Sequence, residues 1–160
     1  MIRYATMDDL PVILEIYRGA QQFMAETGNP TQWGNFYPTV PMLEEDIEKK
    51  RLYVVVRQDE ISGVFMFSIG DDPWYAVIEN GTWLDDSLYG VIHRIAARQG
   101  EKGIFREAMN FGLAMIDHLR IDTHADNKVM QHVLDKNGFK ACGTIYVDNG
   151  TPRIAYEYIS

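Results

Sequence analysis

A segment in the second half of the chain constrains the fold most, because it predicts strand, polar loop, helix, strand and helix in that order. Val91–Ala97 and Leu119–Thr123 are short apolar runs of the kind that form buried strands. Ile104–His118 has helical character, and Asp126-Asn127 opens a further helix. A strand that passes through a helix to a parallel neighbour leaves the helix N-terminus beside the carboxyl end of the first strand. Backbone N–H groups and the positive end of the helix dipole meet there, so the pattern predicts a site for the phosphates of a nucleotide-bearing cofactor.

Composition and charge exclude several classes of protein. The 160 residues suffice for one domain (1–160) with its own core, and 46% apolar with 24% charged residues is typical of a globular protein. The single cysteine, Cys142, excludes an internal disulfide and predicts a cytoplasmic protein. The sequence lacks a signal-like apolar start and an apolar run that could span a bilayer, so no membrane association is expected. The net charge of −8 argues against nucleic-acid binding.

The remaining segments predict an α/β (α+β) fold, a mixed seven-stranded sheet with helices on both faces. Turn residues at Gln58-Asp59-Glu60 and at Asp148-Asn149-Gly150 predict two hairpins. The predicted order of elements is β-α-α-β-β-β-α-β-α-β-β. Outside the central segment, strands are predicted at residues 2–5, 52–57, 61–69, 140–147 and 152–159, and helices at residues 10–26 and 42–51.

Positive charge is concentrated around the polar loop of the central segment. Arg94, Arg98, Lys102 and Arg106 recur at every fourth residue, although the chain as a whole is acidic. One interpretation is that these side chains surround the predicted phosphate site. The other is a solvated loop whose charges cluster by chance, and the spacing alone does not distinguish the two.

Four short motifs, together with the order of elements, point to a known family. The motifs are Ile95-Ala96-Ala97, Lys102-Gly103-Ile104, Asp126-Asn127 and Asn137-Gly138-Phe139. With them the chain resembles, over nearly its whole length, the GNAT superfamily of acyl-CoA-dependent N-acyltransferases. The resemblance implies acetyl-CoA as the acyl donor and no metal. It also implies a small-molecule amine or a peptide N-terminus as acceptor, and dimers are common in the family.

The resemblance implies that the polar loop and the helix after it hold the pyrophosphate of coenzyme A. In the family this loop follows the pattern Gln/Arg-x-x-Gly-x-Gly/Ala, and Gly100, Gly103 and Phe105 fall on its three defined positions. Only Gly103 matches, since Phe105 replaces a small residue that lets the backbone approach the phosphates. Main-chain groups of the fourth strand, which diverges from the fifth, are expected to bond the pantetheine arm. The resemblance thus assigns to acetyl-CoA the residues Ile95, Ala96, Ala97, Lys102, Gly103, Ile104, Phe105, Arg106 and Asn127.

Transfer of an acyl group to an amine makes definite chemical demands. An alkylamine with a pKa of ~10.4 is mostly protonated at neutral pH, so a base must take its proton. The family commonly uses a tyrosine of the fourth helix to protonate the leaving thiolate, and the corresponding residue here is Leu134. His93 matches in register a histidine of arylalkylamine acetyltransferases and is the candidate base, with packing on the sheet as the alternative. Glu79 and Tyr146 are further candidates for proton transfer, although such a tyrosine is more often sheet packing.

Aromatic residues in two loops form the predicted acceptor site. Trp33 and Tyr37 belong to the loop between the first two helices, and Trp74 belongs to an aromatic stretch after the third strand, which Asp71-Asp72 precedes. Together with Tyr89 at the start of the fourth strand, these rings are expected to hold an amine by cation–π contact and charge. The alternative is that they cover the core. Asn127, likewise, is explained equally well as a helix cap.

Two other classes of protein compete with an enzyme. A catalytically silent acyl-CoA-binding or regulatory domain of the same fold would explain the departures at Phe105 and Leu134. A doubly wound nucleotide-binding module would require a run of parallel strand–helix units, which the two predicted hairpins contradict. The spacing of His118, His124 and His132 predicts no metal site.

Overall fold

A computed structural model describes residues 1–147 and 149–160 of the chain. Within those residues, seven strands and four α-helices follow one another in the predicted order. Short 3₁₀ turns precede α1 and follow β3. The elements are β1 (Ile2–Tyr4), α1 (Leu10–Glu26), α2 (Val40–Glu48), β2 (Leu52–Arg57), β3 (Glu60–Ile69), β4 (Gly90–Ala97), α3 (Ile104–Leu113), β5 (His118–Thr123), α4 (Lys128–Lys136), β6 (Lys140–Tyr146) and β7 (Pro152–Ile159).

The strands form one mixed sheet in the order β1-β2-β3-β4-β5-β7-β6. Only the contact between β4 and β5 is parallel, and the other neighbours are antiparallel. The predicted mixed seven-stranded fold is therefore confirmed. No helix in the described part of the chain is long and apolar enough to cross a membrane.

Two predicted helices differ from the structure at their ends. The second begins at Val40 rather than residue 42, because the Thr39 hydroxyl caps it by accepting the Met42 N–H at 3.4 Å. The third ends at Leu113 rather than at His118, because His118 is already paired with Ile159 in the sheet. The predicted turn at residues 148–150 cannot be compared as a whole, since residue 148 lies outside the described residues.

The sheet separates two cores, because successive residues of a strand point to opposite faces. On the α1/α2 face, apolar side chains of both helices pack on alternate residues of β2, β3 and β4. On the α3/α4 face, the other alternate residues pack under α3 and α4 with many aromatic rings. Burying one such apolar side chain contributes about 1.5–3 kcal/mol, so both cores stabilise the sheet.

A long connection between β3 and β4, here called the strap (residues 70–89), crosses part of the α1/α2 face. Glu79 exchanges two backbone hydrogen bonds with Thr144 of β6, at 2.9 and 2.7 Å. At the next contact a Cβ on Gly81 would lie 1.9 Å from the Cys142 carbonyl oxygen, so only glycine fits there. The strap thus reaches from β4 past β5 and β7 to the outer strand, and it covers that part of the sheet.

Candidate active site

The parallel strands β4 and β5 are paired only at their first residues. Gly90 is paired with Leu119 and Val91 with Arg120, and no further pair joins the two strands in the described chain. A β-bulge lies in β4 just beyond that point, between the pairs Met66–His93 and Val64–Ala96. Bulges bend a strand and increase its twist, so β4 turns away from β5 toward its carboxyl end. The edge of β4 that faces β5 is left open over its last residues.

A cleft of about 680 Å³ lies at this opening. One side is the carboxyl end of β4 with the loop to α3, and another is α4 along its length. Eight of the nine residues assigned to acetyl-CoA from the sequence line it, namely Ile95, Ala96, Ala97, Gly103, Ile104, Phe105, Arg106 and Asn127. Lys102, the ninth, is exposed and is not part of the cleft wall that the described residues form. The sequence did not indicate a further wall, which α1 supplies with Ala20, Phe23 and Met24.

The N-terminus of α3 presents backbone N–H groups to the cleft. Gly103 caps the helix with φ of +79°, a left-handed conformation that glycine adopts without steric cost. The bond from the Glu107 N–H to the Gly103 carbonyl, at 3.1 Å, starts the helix, so the N–H groups before it have no intrahelical acceptor. Phe105 is buried with its ring 5.8 Å from that of Phe139, so the core accommodates the large side chain at the position where the family has a small one.

Asn127 caps a helix and also lies in the wall of the cleft. Its side-chain oxygen caps α4 by accepting the Met130 N–H at 3.0 Å, and the residue lines the cleft. Its side-chain nitrogen donates to Gln32 at 3.0 Å, and Gln32 accepts a second bond from Asn29 at 2.8 Å. Gln32 therefore connects the loop after α1 with the start of α4, and the sequence does not indicate this connection.

The positive charges of the central segment do not form one group. Arg94 points away from the cleft and forms two bonds, of 2.8 and 3.0 Å, to Asp46, whose side chain is completely buried. The prediction that Arg94 belongs to the phosphate site is therefore wrong, and the reason is the bulge. Arg94 has φ of +52°, which breaks the alternation of the strand, and its carbonyl accepts the Tyr17 hydroxyl at 2.6 Å. Only Arg98 and Arg106 of the four basic residues line the cleft.

His93 lies on the α1/α2 face of β4, between two carboxylates. Its Nε2 is 2.7 Å from Asp72 Oδ2, and its Nδ1 is 4.0 Å from Asp122 Oδ2. Asp122 also accepts the hydroxyl of the fully buried Tyr75 at 2.7 Å. Burial raises the pKa of Asp72, whereas the hydrogen bond and the charge of His93 lower it. The lowering is the larger effect in sum, so the pKa of Asp72 lies below its ordinary value. The aspartate therefore orients the imidazole through Nε2, which is the geometry of an oriented base.

Asp72 is positioned by the strap. Its Oδ1 accepts the Trp74 N–H at 2.9 Å, and its own N–H donates to the Tyr89 hydroxyl at 2.9 Å. The sequence indicates Asp72 only as a charge near the acceptor, and it does not point to Asp122. Polar and apolar residues alternate in β5, so Asp122 shares a face with the buried polar residues His118 and Arg120. This alternation is the one available signal in the sequence.

The other two candidates for proton transfer lie elsewhere. Glu79 is exposed and is held by its backbone to the outer strand β6. Tyr146 follows Ile145, which packs in the α1/α2 core, so its ring points to the opposite face from His93. No hydrogen bond within the described residues links either of them to His93. Of the three candidates, only His93 lies in β4 just beyond its last pair with β5, and it is not part of the wall that the described residues form around the cleft.

The four aromatic residues predicted to bind the acceptor have different surroundings. Trp33 is buried and packs edge-on against Tyr17, so it is largely core. Tyr37 accepts a bond from Arg94 at 3.2 Å, and Trp74 is 44% exposed on the strap. Tyr89 is buried, and its ring lies 4.1 Å from the guanidinium carbon of Arg120.

A second, smaller cavity of about 380 Å³ lies between the strap and the sheet. The guanidinium of Arg120 stands over the Trp83 and Tyr89 rings there, 4.1 Å from each centroid. A cation–π partner is therefore already present for both rings, and it is part of the protein. This leaves Asp72, which also lines the cavity, as the group that connects it to His93.

Comparison with known proteins agrees with this geometry. A GNAT-family acetyltransferase from Streptococcus agalactiae 2603 is 29% identical, with a TM-score of 0.88 over 100% of this chain and 95% of that one. A protein from Staphylococcus aureus Mu50 described as an acetyltransferase is 28% identical, with a TM-score of 0.72 over 99% and 98%. The chain has the fold of the GNAT superfamily and is similar to its acetyltransferases over nearly its whole length. No family model and no curated protein matches the sequence, so the likeness rests on structure.

More distant GNAT structures share the fold alone. The ribosomal-protein-alanine N-acetyltransferase of Brucella melitensis is 16% identical, with a TM-score of 0.60 over 100% of this chain and 99% of that one. The similarity to acetyltransferases at 28% and 29% identity supports acyl transfer as the general activity. Within its described residues, no group of three or more His, Cys, Asp or Glu side chains could hold a metal ion.

Proposed function

We propose that the protein is an N-acetyltransferase that moves an acetyl group from acetyl-CoA to a primary amine by direct attack in a ternary complex. The observation that carries this proposal is the divergence of β4 from β5 beyond Val91, with the cleft and the N-terminus of α3 directly at the opening. The single cysteine, Cys142, which is buried and free, supports a cytoplasmic location.

The cleft fits acetyl-CoA as substrate. The open edge of β4 at Ile95 and Ala97 offers backbone groups to an amide-bearing chain such as pantetheine, as an added strand would. The N–H groups of Ile104, Phe105 and Arg106 suit the diphosphate. Thr123 Oγ1, at the carboxyl end of β5, is buried and has no partner among the described residues, so the opening also offers an unused polar atom.

His93 is proposed as the base. Acetyl-CoA supplies the thioester whose acyl group is transferred. With Nε2 donating to Asp72, Nδ1 carries the lone pair and faces Asp122 across 4.0 Å. An ammonium within hydrogen-bonding reach of both groups loses a proton to Nδ1, directly or through water, and Asp72 stabilises the imidazolium that results. The free amine then attacks the thioester carbonyl, and coenzyme A leaves as its thiolate. Asp122 is held by Tyr75 and orients the amine by its charge.

A catalytically silent acyl-CoA-binding domain is the second candidate, and one observation favours it. Leu134, at the position of the usual tyrosine, is completely buried in the α3/α4 core, so α4 supplies no acid there. Release of free CoA from acetyl-CoA in the presence of a panel of amines and peptide N-termini separates the two candidates. Turnover with any acceptor supports the enzyme, and binding without turnover supports the silent domain.

Replacement of the proposed base tests the mechanism. We expect His93→Ala to lower kcat by about 100-fold or more, since positioned bases contribute at least that much, with little change in acetyl-CoA affinity. The rise of kcat/KM with pH that reports the base should disappear. His132→Ala, which removes an exposed histidine of α4, is the matched control. Unchanged turnover of the His93 variant across pH would disprove the assignment.

A further inference from the structure

One basic and two acidic side chains form a cluster beside Gly103 that the proposed function does not use. Arg57, the last residue of β2, donates to Glu101 at 2.8 Å through one nitrogen and to Glu107 through the other. The second of these nitrogens lies only 3.7 Å from the place where a Cβ on Gly103 would stand. All three side chains are about one-third exposed. The cluster therefore adjoins the loop to which the diphosphate is assigned.

The two carboxylates are unfavourable neighbours for a phosphate group. Glu101 lines the cleft, and Glu107 lies in the first turn of α3. The positive end of a helix attracts any anion, and a carboxylate accepts backbone N–H bonds much as a phosphate oxygen does. Without a partner, these side chains would compete with the diphosphate for the N–H groups at the start of α3 and would repel it.

Arg57 opposes both effects. Its charge leaves the three side chains with a net charge of −1 rather than −2, since one positive group faces two negative ones. Its two bonds also fix the carboxylates on the β2 side of the loop. We infer that Arg57 is a positioning residue for acyl-CoA, which keeps the N–H groups of α3 free for the diphosphate. This inference rests on the function proposed above.

Calorimetric titration with coenzyme A tests the inference. Arg57→Gln should weaken binding about tenfold at low ionic strength and by less at high ionic strength, because salt screens the carboxylates. Arg57→Gln combined with Glu101→Gln and Glu107→Gln should restore wild-type affinity. Lys49→Gln removes an equal charge from an exposed ion pair with Glu45 on α2 and should leave affinity unchanged.

The outcomes separate the inference from the proposed function. If wild-type protein binds coenzyme A and Arg57→Gln binds it equally well, the inference is wrong and the function stands. A triple variant as weak as Arg57→Gln also overturns the inference, because Arg57 would then contact the ligand itself. Absence of wild-type binding overturns the proposed function and the inference with it. If Arg57→Gln does not fold, Glu101→Gln/Glu107→Gln gives the test, with tighter binding expected and unchanged binding contradicting the inference.

Discussion

Strand β5 separates two regions of different chemistry, one on each face of the sheet, and its residues show the difference one by one. Leu119 and Ile121 point to the α3/α4 face, where they are buried among aromatic and aliphatic side chains. His118, Arg120 and Asp122 alternate with them and point to the α1/α2 face under the strap, where two of the three are also buried. At β5, the α3/α4 side is therefore stabilised by apolar packing and the α1/α2 side by paired charges, although the α1/α2 face also carries an apolar core over β2, β3 and β4.

Glu157 of β7 is the centre of the charged face. It is completely buried and accepts bonds from His118 at 2.7 Å, from Arg120 at 2.7 Å and from the Leu84 N–H at 2.6 Å. Arg120 in turn donates to the Asp85 carbonyl at 2.6 Å. These bonds fix the strap on the sheet. Because the strap also carries Asp72 and Tyr75, they contribute to the position of His93.

On the charged side of β5, stability depends on the identity of each side chain, whereas the apolar side accepts exchanges between side chains of similar volume. A buried ion pair requires its partners in place, since loss of one partner leaves an uncompensated charge. An apolar core accepts side chains of similar volume with a small loss. The proposed base, His93, lies on the charged side, while α3, whose N-terminus adjoins the cleft, packs on the apolar side.

The largest effect is expected from Glu157→Gln. This nearly isosteric change removes the charge that Arg120 requires, and we expect the free energy of unfolding to fall by about 3 kcal/mol. Urea denaturation measures the change. Glu60→Gln, which breaks an exposed pair with Arg98, is the control, with a loss of about 0–1 kcal/mol. Equal losses of unfolding free energy in the two variants would contradict the special role of the buried charge of Glu157.

A smaller effect is expected from the matched replacement on the apolar face. Leu119→Met keeps volume and hydrophobicity at a completely buried site of β5, so the loss should stay below about 1.5 kcal/mol. The same denaturation experiment provides the value, and the pH dependence of acyl transfer should not change. A loss larger than that of Glu157→Gln would show that the apolar side of β5 is the less tolerant of the two sides.

The smallest effect concerns acid stability. The pKa of Asp72 is lowered in the folded protein, so its contribution to stability is complete above the unfolded pKa of ~3.9 and is lost as pH falls through the folded pKa. His93→Ala removes the bond and charge that lower this pKa, and burial then raises it. The midpoint of acid unfolding should move to higher pH. Circular dichroism during acid titration measures it, and an unchanged or lower midpoint would be inconsistent with the Asp72–His93 pair.

Local pattern was sufficient for most of the fold. Apolar runs and turn residues identified the strands of the described chain, because all of them except β1 bury residues on at least one face. The helix ends were less predictable. His118 reads as the end of a helix because a polar residue after an apolar run resembles a C-terminus, whereas its burial beside Glu157 depends on a strand almost forty residues later.

The candidate site likewise combines features that the sequence predicts with features that depend on packing. The sequence determined the strand–loop–helix order, the glycine at the start of α3 and the position of His93 in β4, because these depend on neighbours along the chain. Only the tertiary structure decided that Arg94 pairs with Asp46, that Asp72 and Asp122 flank His93, and that Arg57 reaches Glu101 and Glu107. Such partners are chosen by a bulge, a strap and an ion pair across distant segments, and the energies that select them exist only once those segments are packed together.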